Sequence, residues 1–326
     1  ALSQTGRNLL YKLMRKMADE GGSVMFISHD LDEMMEHCDA VTVLRDGNII
    51  GSLDKEEFDG NKMKEMMVGR EVSGNYYRND NDSYEDEITL KAHCITTRKD
   101  LLCFNLELHK GEVLGIGGLS ECGMHTVGKA LFGYEKILDG KVTVGAKQTV
   151  VKNPETAIAN GIAYTSKDRD HESLGLAGSI RDNIASTGYY FNRIFGPIIS
   201  FGKEKKFVQN QIDTLELKCA SQYHSVNTLS GGNKQKVVFG KWIGSEADVL
   251  ILDCPTRGID IGVKASMYQL IYKMKKQGKS IILISEELPE LIGMSDRILI
   301  MKDGKIVHEA MRSENPTEHD LINYMI

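Results

Sequence analysis

A single offset maps the front of this chain onto its back. Ser28 pairs with Ser285 and Asp46 with Asp303, each 257 residues apart, and the same shift pairs Tyr11 with Tyr268, Leu13 with Leu270, Met17 with Met274 and Gly21 with Gly278. It continues through Ile27 and Ile284, Leu31 and Leu288, Asp39 and Asp296, and Gly47 and Gly304. An internal repeat limits the fold more than composition does, because both copies must build the same supersecondary unit. Ser23–Ile27 and Ser280–Ile284 are then the same apolar run, and both read as buried strands. A length of 326 residues admits about two domains. The repeat divides it into residues 1–70, the rear of a first module, and residues 88–326, a whole second one. Residues 71–87 lie between them as a linker, with Gly74–Ser83 polar, rich in turn formers and without apolar period, and Ile88–Ala92 resuming as a strand.

The whole module carries three motifs in a fixed order. Gly111–Gly118 is an apolar, glycine-rich run that leads into Leu119–Thr126 and a helical stretch from Val127 to Phe132. Next comes Leu229-Ser230-Gly231-Gly232-Asn233-Lys234-Gln235-Lys236. Two glycines let a backbone approach a phosphate, and the first N–H groups of the following helix face negative charge with the helix dipole behind them. An ordinary helix start, with Ser230 as its cap, reads the same in these four residues alone. About twenty residues on, Val249–Leu252 reads as a buried parallel strand ending in Asp253, where a P-loop NTPase places a Mg²⁺-liganding acid. Cys254–Asp260 follows.

This order resembles the ATP-binding-cassette (ABC) ATPases: P-loop, signature turn, Walker B strand and D-loop. The resemblance implies an α/β P-loop cassette with an antiparallel β edge and a helical subdomain at about 168–226, preceded by the C-terminal part of a first cassette. Ala1-Leu2-Ser3 then falls on the D-loop residues Gly258-Ile259-Asp260, so the chain is expected to begin inside the D-loop of that first cassette. The run from Met66 to Glu71, together with Arg257–Asp260, Asn233 and the altered P-loop, narrows the likeness to bacterial twin-cassette ATPases for monosaccharide uptake. Thr165–Arg169 resembles that family's E-D-R stretch, with Lys167 where a glutamate stands.

The P-loop lacks its working parts. G-x-x-x-x-G-K-[ST] needs a lysine for the β- and γ-phosphates and a hydroxyl for Mg²⁺. Gly118 and Gly123 keep the spacing, but Met124 takes the lysine position and His125 the hydroxyl position, with Thr126 one residue late. The glutamate that polarises water in the family is Cys254, and the switch histidine after Ser280–Ile284 is Glu286. Three altered catalytic positions imply a second site that does not hydrolyse ATP. In the first copy, His29 occupies the position of Glu286 and resembles an intact switch histidine, the catalytic candidate of this chain.

On that resemblance, the nucleotide-binding positions are Gly118, Ser120, Gly123, Met124, His125 and Thr126 of the altered P-loop, with Asp253 as the Mg²⁺ ligand and Asp260 in the D-loop. Leu229, Ser230, Gly231, Gly232 and Gln235 serve a partner domain's ATP. The implied cofactors are ATP and Mg²⁺. The implied partners are transmembrane permease subunits, a sugar-binding protein and a second copy of the ATPase chain, at the cytoplasmic face of the plasma membrane. The isolated chain is expected to be inactive and poorly soluble. Two other functions stay open: a soluble twin-cassette ATPase acting on ribosomes, and a non-hydrolysing nucleotide-binding fragment. The short polar linker and Cys254 argue against the first of these.

Composition removes other classes. A net charge of −6 argues against nucleic acid as main partner. No run approaches the ~18 apolar residues that span a bilayer. The six cysteines show no C-x-x-C pairing and read as reduced thiols. An aromatic, apolar stretch over Tyr189–Phe191 and Ile194–Ile199 reads equally as a permease-facing patch or as core packing.

Overall fold

The computed structural model describes residues 4–28, 31–45, 48–68, 77–81, 83–191, 200–245 and 247–326. The chain divides into two units, Ala1–Tyr76 with Asp260–Ala265, and Tyr77–Ile259 with Ser266–Ile326. The smaller unit holds α1 (Gln4–Asp19), α2 (Leu31–His37), β1 (Ala40–Arg45), β2 (Asn48–Asp54) and α3 (Gly60–Val68). β1 and β2 pair antiparallel, and Leu31, Met34, Val41, Val43, Leu53 and Met63 form its core.

The larger unit runs β3 (Glu85–Thr96), β4 (Phe104–Lys110), β5 (Val113–Gly118), α4 (Met124–Leu131), β6 (Asp139–Val144), β7 (Thr149–Val150), α5 (Pro154–Ala159) and β8 (Ile162–Thr165). Then follow α6 (Ile180–Phe191), α7 (Phe201–Thr214), α8 (Gly231–Ile243), β9 (Val249–Asp253), α9 (Ile261–Lys276), whose first turns fall in the smaller unit, and β10 (Ser280–Ile284). α10 (Leu288–Met294), β11 (Arg297–Lys302), β12 (Lys305–Met311) and α11 (Glu318–Met325) close the chain.

The central sheet has the order β12-β11-β5-β10-β9-β8, parallel throughout except for β12, which pairs antiparallel with β11. Three of its four inner strands, β5, β9 and β10, are buried along their whole length, as apolar runs covered on both faces must be. The second sheet, β4-β3-β6-β7, is antiparallel. A helical layer packs around Ile180, Ile184, Val208, Ile212, Val237 and Val238, so α8 shares the core of α6 and α7.

The repeat is visible residue by residue. α1, α2, β1 and β2 begin and end 257 residues before α9, α10, β11 and β12. One expectation fails. Residues 23–27 are not a strand, and Met25 and Ile27 are 92% and 91% exposed. Their counterparts Ile282 and Ile284 are fully buried in β10 because β5 and β9 pair with it on either side. Positions 257 residues before β5 and β9 fall ahead of residue 1, so residues 23–27 have no such neighbours in this chain. A strand without partners leaves its backbone groups to water. A cleft of about 1130 Å³, lined by Tyr11, Met14, Val24, Phe26, Met34 and Val41 among others, opens beside them.

Two smaller readings also change. β3 starts at Glu85, inside the stretch read as linker, and Arg78 is buried there against Asp296 at 2.7 Å. Cys94 and Cys103, read as reduced thiols, form a disulfide. A register shift between Ala92 and Ile95 brings them together across β3 and β4, which spacing alone does not reveal. Cys38, Cys122, Cys219 and Cys254 are free. Among the described residues, no helix is long and apolar enough to cross a membrane. Of the aromatic stretch, residues 192–199 lie outside the described residues, as does His29.

Candidate functional site

The altered motifs converge at the carboxyl ends of β5, β9 and β10, the edge of an open α/β sheet where ligand sites form. Gly123 starts α4 with φ +94°, a left-handed conformation that glycine adopts without steric cost. A Cβ at Gly118 would stand 2.4 Å from the Cys122 Sγ and 2.5 Å from the Met301 carbonyl oxygen, so the loop closes tightly on itself.

Five side chains from four segments then form one hydrogen-bonded chain. His125 Nδ1 donates to Asp253 Oδ1 at 2.7 Å, and Lys167 Nζ donates to His125 Nε2 at 3.1 Å. Lys167 also donates to Glu286 Oε1 at 2.7 Å, where the Ser120 hydroxyl donates at 2.9 Å. This pattern assigns a neutral imidazole carrying its proton on Nδ1, because an ammonium can only donate. Burial alone would raise the Glu286 carboxyl; the Lys167 and Ser120 hydrogen bonds and the Lys167 charge outweigh it and hold the group down, to about 2. Cys254 is pushed well above the ordinary thiol range, first by burial and then by Asp253 and Glu286. Tyr164 is raised by burial and by the Asp253 charge.

The P-loop positions divide between the chain and its surroundings. Met124, grouped with the phosphate-facing positions by its place in the motif, is fully buried in the core. An apolar side chain at the first turn of α4 gains by turning inward, where a lysine would have to stay hydrated. Thr126 points away from Asp253 and gives its hydroxyl hydrogen to Asp100. Lys129 is paired with Glu172 at 2.7 Å. Of the expected positions, the structure therefore brings together Ser120, His125, Asp253 and Glu286, with Cys254 beside Asp253. Sequence reasoning passed over Lys167 as a site residue. Its signal was a reciprocal exchange against the motifs the chain resembles: a lysine at 167 in place of the glutamate of the E-D-R stretch, and glutamate at 286 in place of the switch histidine.

The signature turn keeps its form. Ser230 is the N-cap of α8, its hydroxyl accepting from Asn233 N at 3.4 Å and from Asn233 Nδ2 at 3.1 Å. Ser230 is exposed, Leu229 packs on the helical core and Gln235 is buried within α8. A Cβ at Gly231 would meet Arg169 Nη2 at 3.1 Å and the Gly258 carbonyl oxygen at 3.3 Å. Arg169 donates to the Arg257 carbonyl at 3.2 Å, linking the segment after β8 to the D-loop. Asp260 caps α9 by accepting from Val263 N at 3.0 Å. Thr256 and Ser285 both donate to the buried Glu290 carboxylate, the first at 2.7 Å, which ties the D-loop to the end of β10.

Comparison with known proteins agrees with the fold. Residues 101–257 match the family described as ABC transporter. The chain is 35% identical over 306 residues to a ribose import ATP-binding protein of Bacillus cereus, covering 94% of this chain and 61% of the relative. It is 36% identical over 325 residues to one of Halalkalibacterium halodurans, covering 99% and 64%. The chain thus spans just over three fifths of these relatives' length. Among solved structures, an ABC transporter ATP-binding cassette in its ADP conformation, MJ1267, superposes with a TM-score of 0.59 at 20% identity, over 73% of this chain and 98% of that one. The cassette MJ0796 in a dimeric post-hydrolysis state with ADP and Pi gives 0.60 at 19%, over 68% and 98%.

Proposed function

Because this chain belongs to the ABC transporter family of ATP-binding proteins, we propose that it is the rear part of a twin-cassette ATPase that powers monosaccharide import. Residues 1–70 are the back of the first cassette, residues 71–87 the connection, and residues 88–326 the second cassette. The substrate class comes from the ribose import relatives. Permease subunits and a sugar-binding protein are the implied partners, with the ATPase peripheral at the cytoplasmic membrane face.

One observation carries the division of labour. The second cassette's own site is closed by its own ion pairs, while its signature turn is capped by Ser230, which stays exposed, with Arg169 beside Gly231. Mg²⁺ takes oxygen ligands in a near-octahedral shell. Here an imidazole stands at the hydroxyl position and holds Asp253 Oδ1, with a thiol next in the chain. The donor set does not fit Mg²⁺. The P-loop lysine is replaced by a core methionine, and Lys167, the cation bonded to His125, is neutralised by Glu286. No hydrolysis step belongs to this site.

The signature acts instead on ATP held by the first cassette's P-loop. Backbone N–H groups at the start of α8 carry the positive end of a 13-residue helix toward the phosphates, and Gly231 and Gly232 allow close approach. His29, following the first copy's Ser28, is the switch histidine of that site. The test is Ser230→Arg in the complete two-cassette protein, which places a bulky cation in the closing surface. The ATPase rate should fall about a hundredfold, as for loss of a preorganised anion-binding contact. An undiminished rate would contradict the trans arrangement.

A further inference from the structure

The donors that exclude Mg²⁺ suit a different ion. We propose that His125, Asp253 and Cys254 form a binding site for a borderline-soft divalent metal of the Zn²⁺ class, occupying the place where nucleotide-bound Mg²⁺ would otherwise sit. The proposal does not depend on the import reading.

One ring nitrogen of His125, one carboxylate oxygen of Asp253 and the Cys254 sulfur all lie within 4.8 Å of one another. Nitrogen, oxygen and sulfur together are the ligand set that tetrahedral Zn²⁺ prefers, and thiolate is a poor ligand for Mg²⁺. Ligands about 2.0–2.3 Å from a tetrahedral ion stand roughly 3.3–3.6 Å apart. The His125–Asp253 pair, now 2.7 Å, opens by a little over half an ångström, and the sulfur moves inward. Cys254 is already held at φ +48°, a left-handed conformation that a non-glycine residue adopts at a cost, by its N–H bond to the Ile284 carbonyl at 2.8 Å.

A second observation points to a ligand. The Asp253 side chain is completely buried, and its Oδ2 lacks a hydrogen bond of ordinary geometry, with the buried Tyr164 hydroxyl its neighbour. A buried carboxylate oxygen without such a bond is costly, and a cation relieves that cost.

The surrounding charges close around such an ion. Asp253, Glu286 and a Cys254 thiolate carry three negative charges; the divalent metal and Lys167 carry three positive ones. The thiol proton leaves to solvent on binding. The imidazole proton moves from Nδ1 to Nε2 with no net change. Nε2–H then faces Glu286 Oε1, now at 3.5 Å, which gives the carboxylate–histidine–metal arrangement that orients metal-bound histidines. Lys167 gives up its bond to Nε2, which can no longer accept, and keeps its bond to Glu286. Three protein ligands leave the fourth position to solvent.

Cobalt(II) is the probe, because a thiolate ligand gives it a sulfur-to-metal charge-transfer band. Titration of the full 326-residue chain under oxygen-free conditions without added thiol, so that the Cys94–Cys103 disulfide stays closed, should give that band with one cobalt per chain. Zn²⁺ should abolish it, and a large excess of Mg²⁺ should not. Cys254→Ser should remove the band, Cys122→Ser should leave it, and Glu286→Gln should weaken cobalt binding about tenfold or more. Absence of a stoichiometric band in the unmodified chain would overturn the proposal whatever the variants do. So would a band that survives Cys254→Ser, or one that Mg²⁺ displaces.

Discussion

The two copies of the repeat share sequence and local structure, yet among the described residues only the second adds its apolar run to a parallel sheet. α1 and α9 match end for end at the same offset, as do α2 and α10. Even a tertiary contact recurs: Ser28 donates to Glu33 at 2.9 Å as Ser285 donates to Glu290. The copies part at residues 23–27 and 280–284. The same kind of apolar run is open to solvent in one and sealed in the other. Helices close their hydrogen bonds within themselves, and the β1–β2 hairpin closes its own between two adjacent strands. A central parallel strand depends on neighbours that are distant in sequence. The repeat therefore transmits everything local and nothing that needs β5 and β9.

The largest expected effect is in the apolar run itself. Ile282→Ala should lower unfolding stability by about 2–5 kcal/mol, as for other fully buried aliphatic side chains. Ile27→Ala should change it by less than about 0.5 kcal/mol. Urea denaturation of both variants checks this, and equal losses would mean that residues 23–27 are packed after all. The shared hydrogen bond gives a smaller contrast. Glu290 is buried and accepts from Thr256 and Ser285, so Glu290→Ala leaves two buried hydroxyls without an acceptor and should cost about 1–3 kcal/mol. Glu33 is more exposed, and Glu33→Ala should cost less than about 1 kcal/mol in the same assay.

The smallest effect is electrostatic and belongs to the second copy alone. Glu286 is held down to about 2 in the folded chain, against about 4.3 in an unfolded one. A carboxylate with a depressed folded value stabilises the protein above its unfolded value and loses that contribution as pH falls through the folded one. Wild type should therefore exceed Glu286→Gln in stability near neutral pH. The gap should narrow between about pH 4 and pH 2. A gap that is constant over that window would mean that the Lys167–Glu286 pair contributes nothing through charge.

Much of this was legible in the residues. Apolar runs ending in Gly118, Asp253 and Ile284 marked three of the four inner strands, and the capped turn at Ser230 marked the start of α8. The sequence also pointed to the positions that depart from the motifs it resembles. It did not show what the replacements do together. Lys167 and Glu286 are 119 residues apart, and only the closed sheet makes them a pair. Met124 looked like a phosphate-facing position because its place in the motif says so, but its chemistry sends it into the core. Cys94 and Cys103 meet through a register shift that no spacing rule records. Residues 23–27 misled for the opposite reason: their composition is that of a buried strand, and strand formation is decided by what lies beside it.

The central claim is that the second cassette's own site lacks hydrolytic function and that this chain contributes to catalysis only across an interface. Steady-state ATP hydrolysis by the isolated 326-residue chain, with Mg²⁺ present, tests it most directly. We expect no turnover above background. Mg²⁺-dependent hydrolysis that disappears in Asp253→Asn would contradict the account, because it would place a working site where the structure shows a closed set of ion pairs.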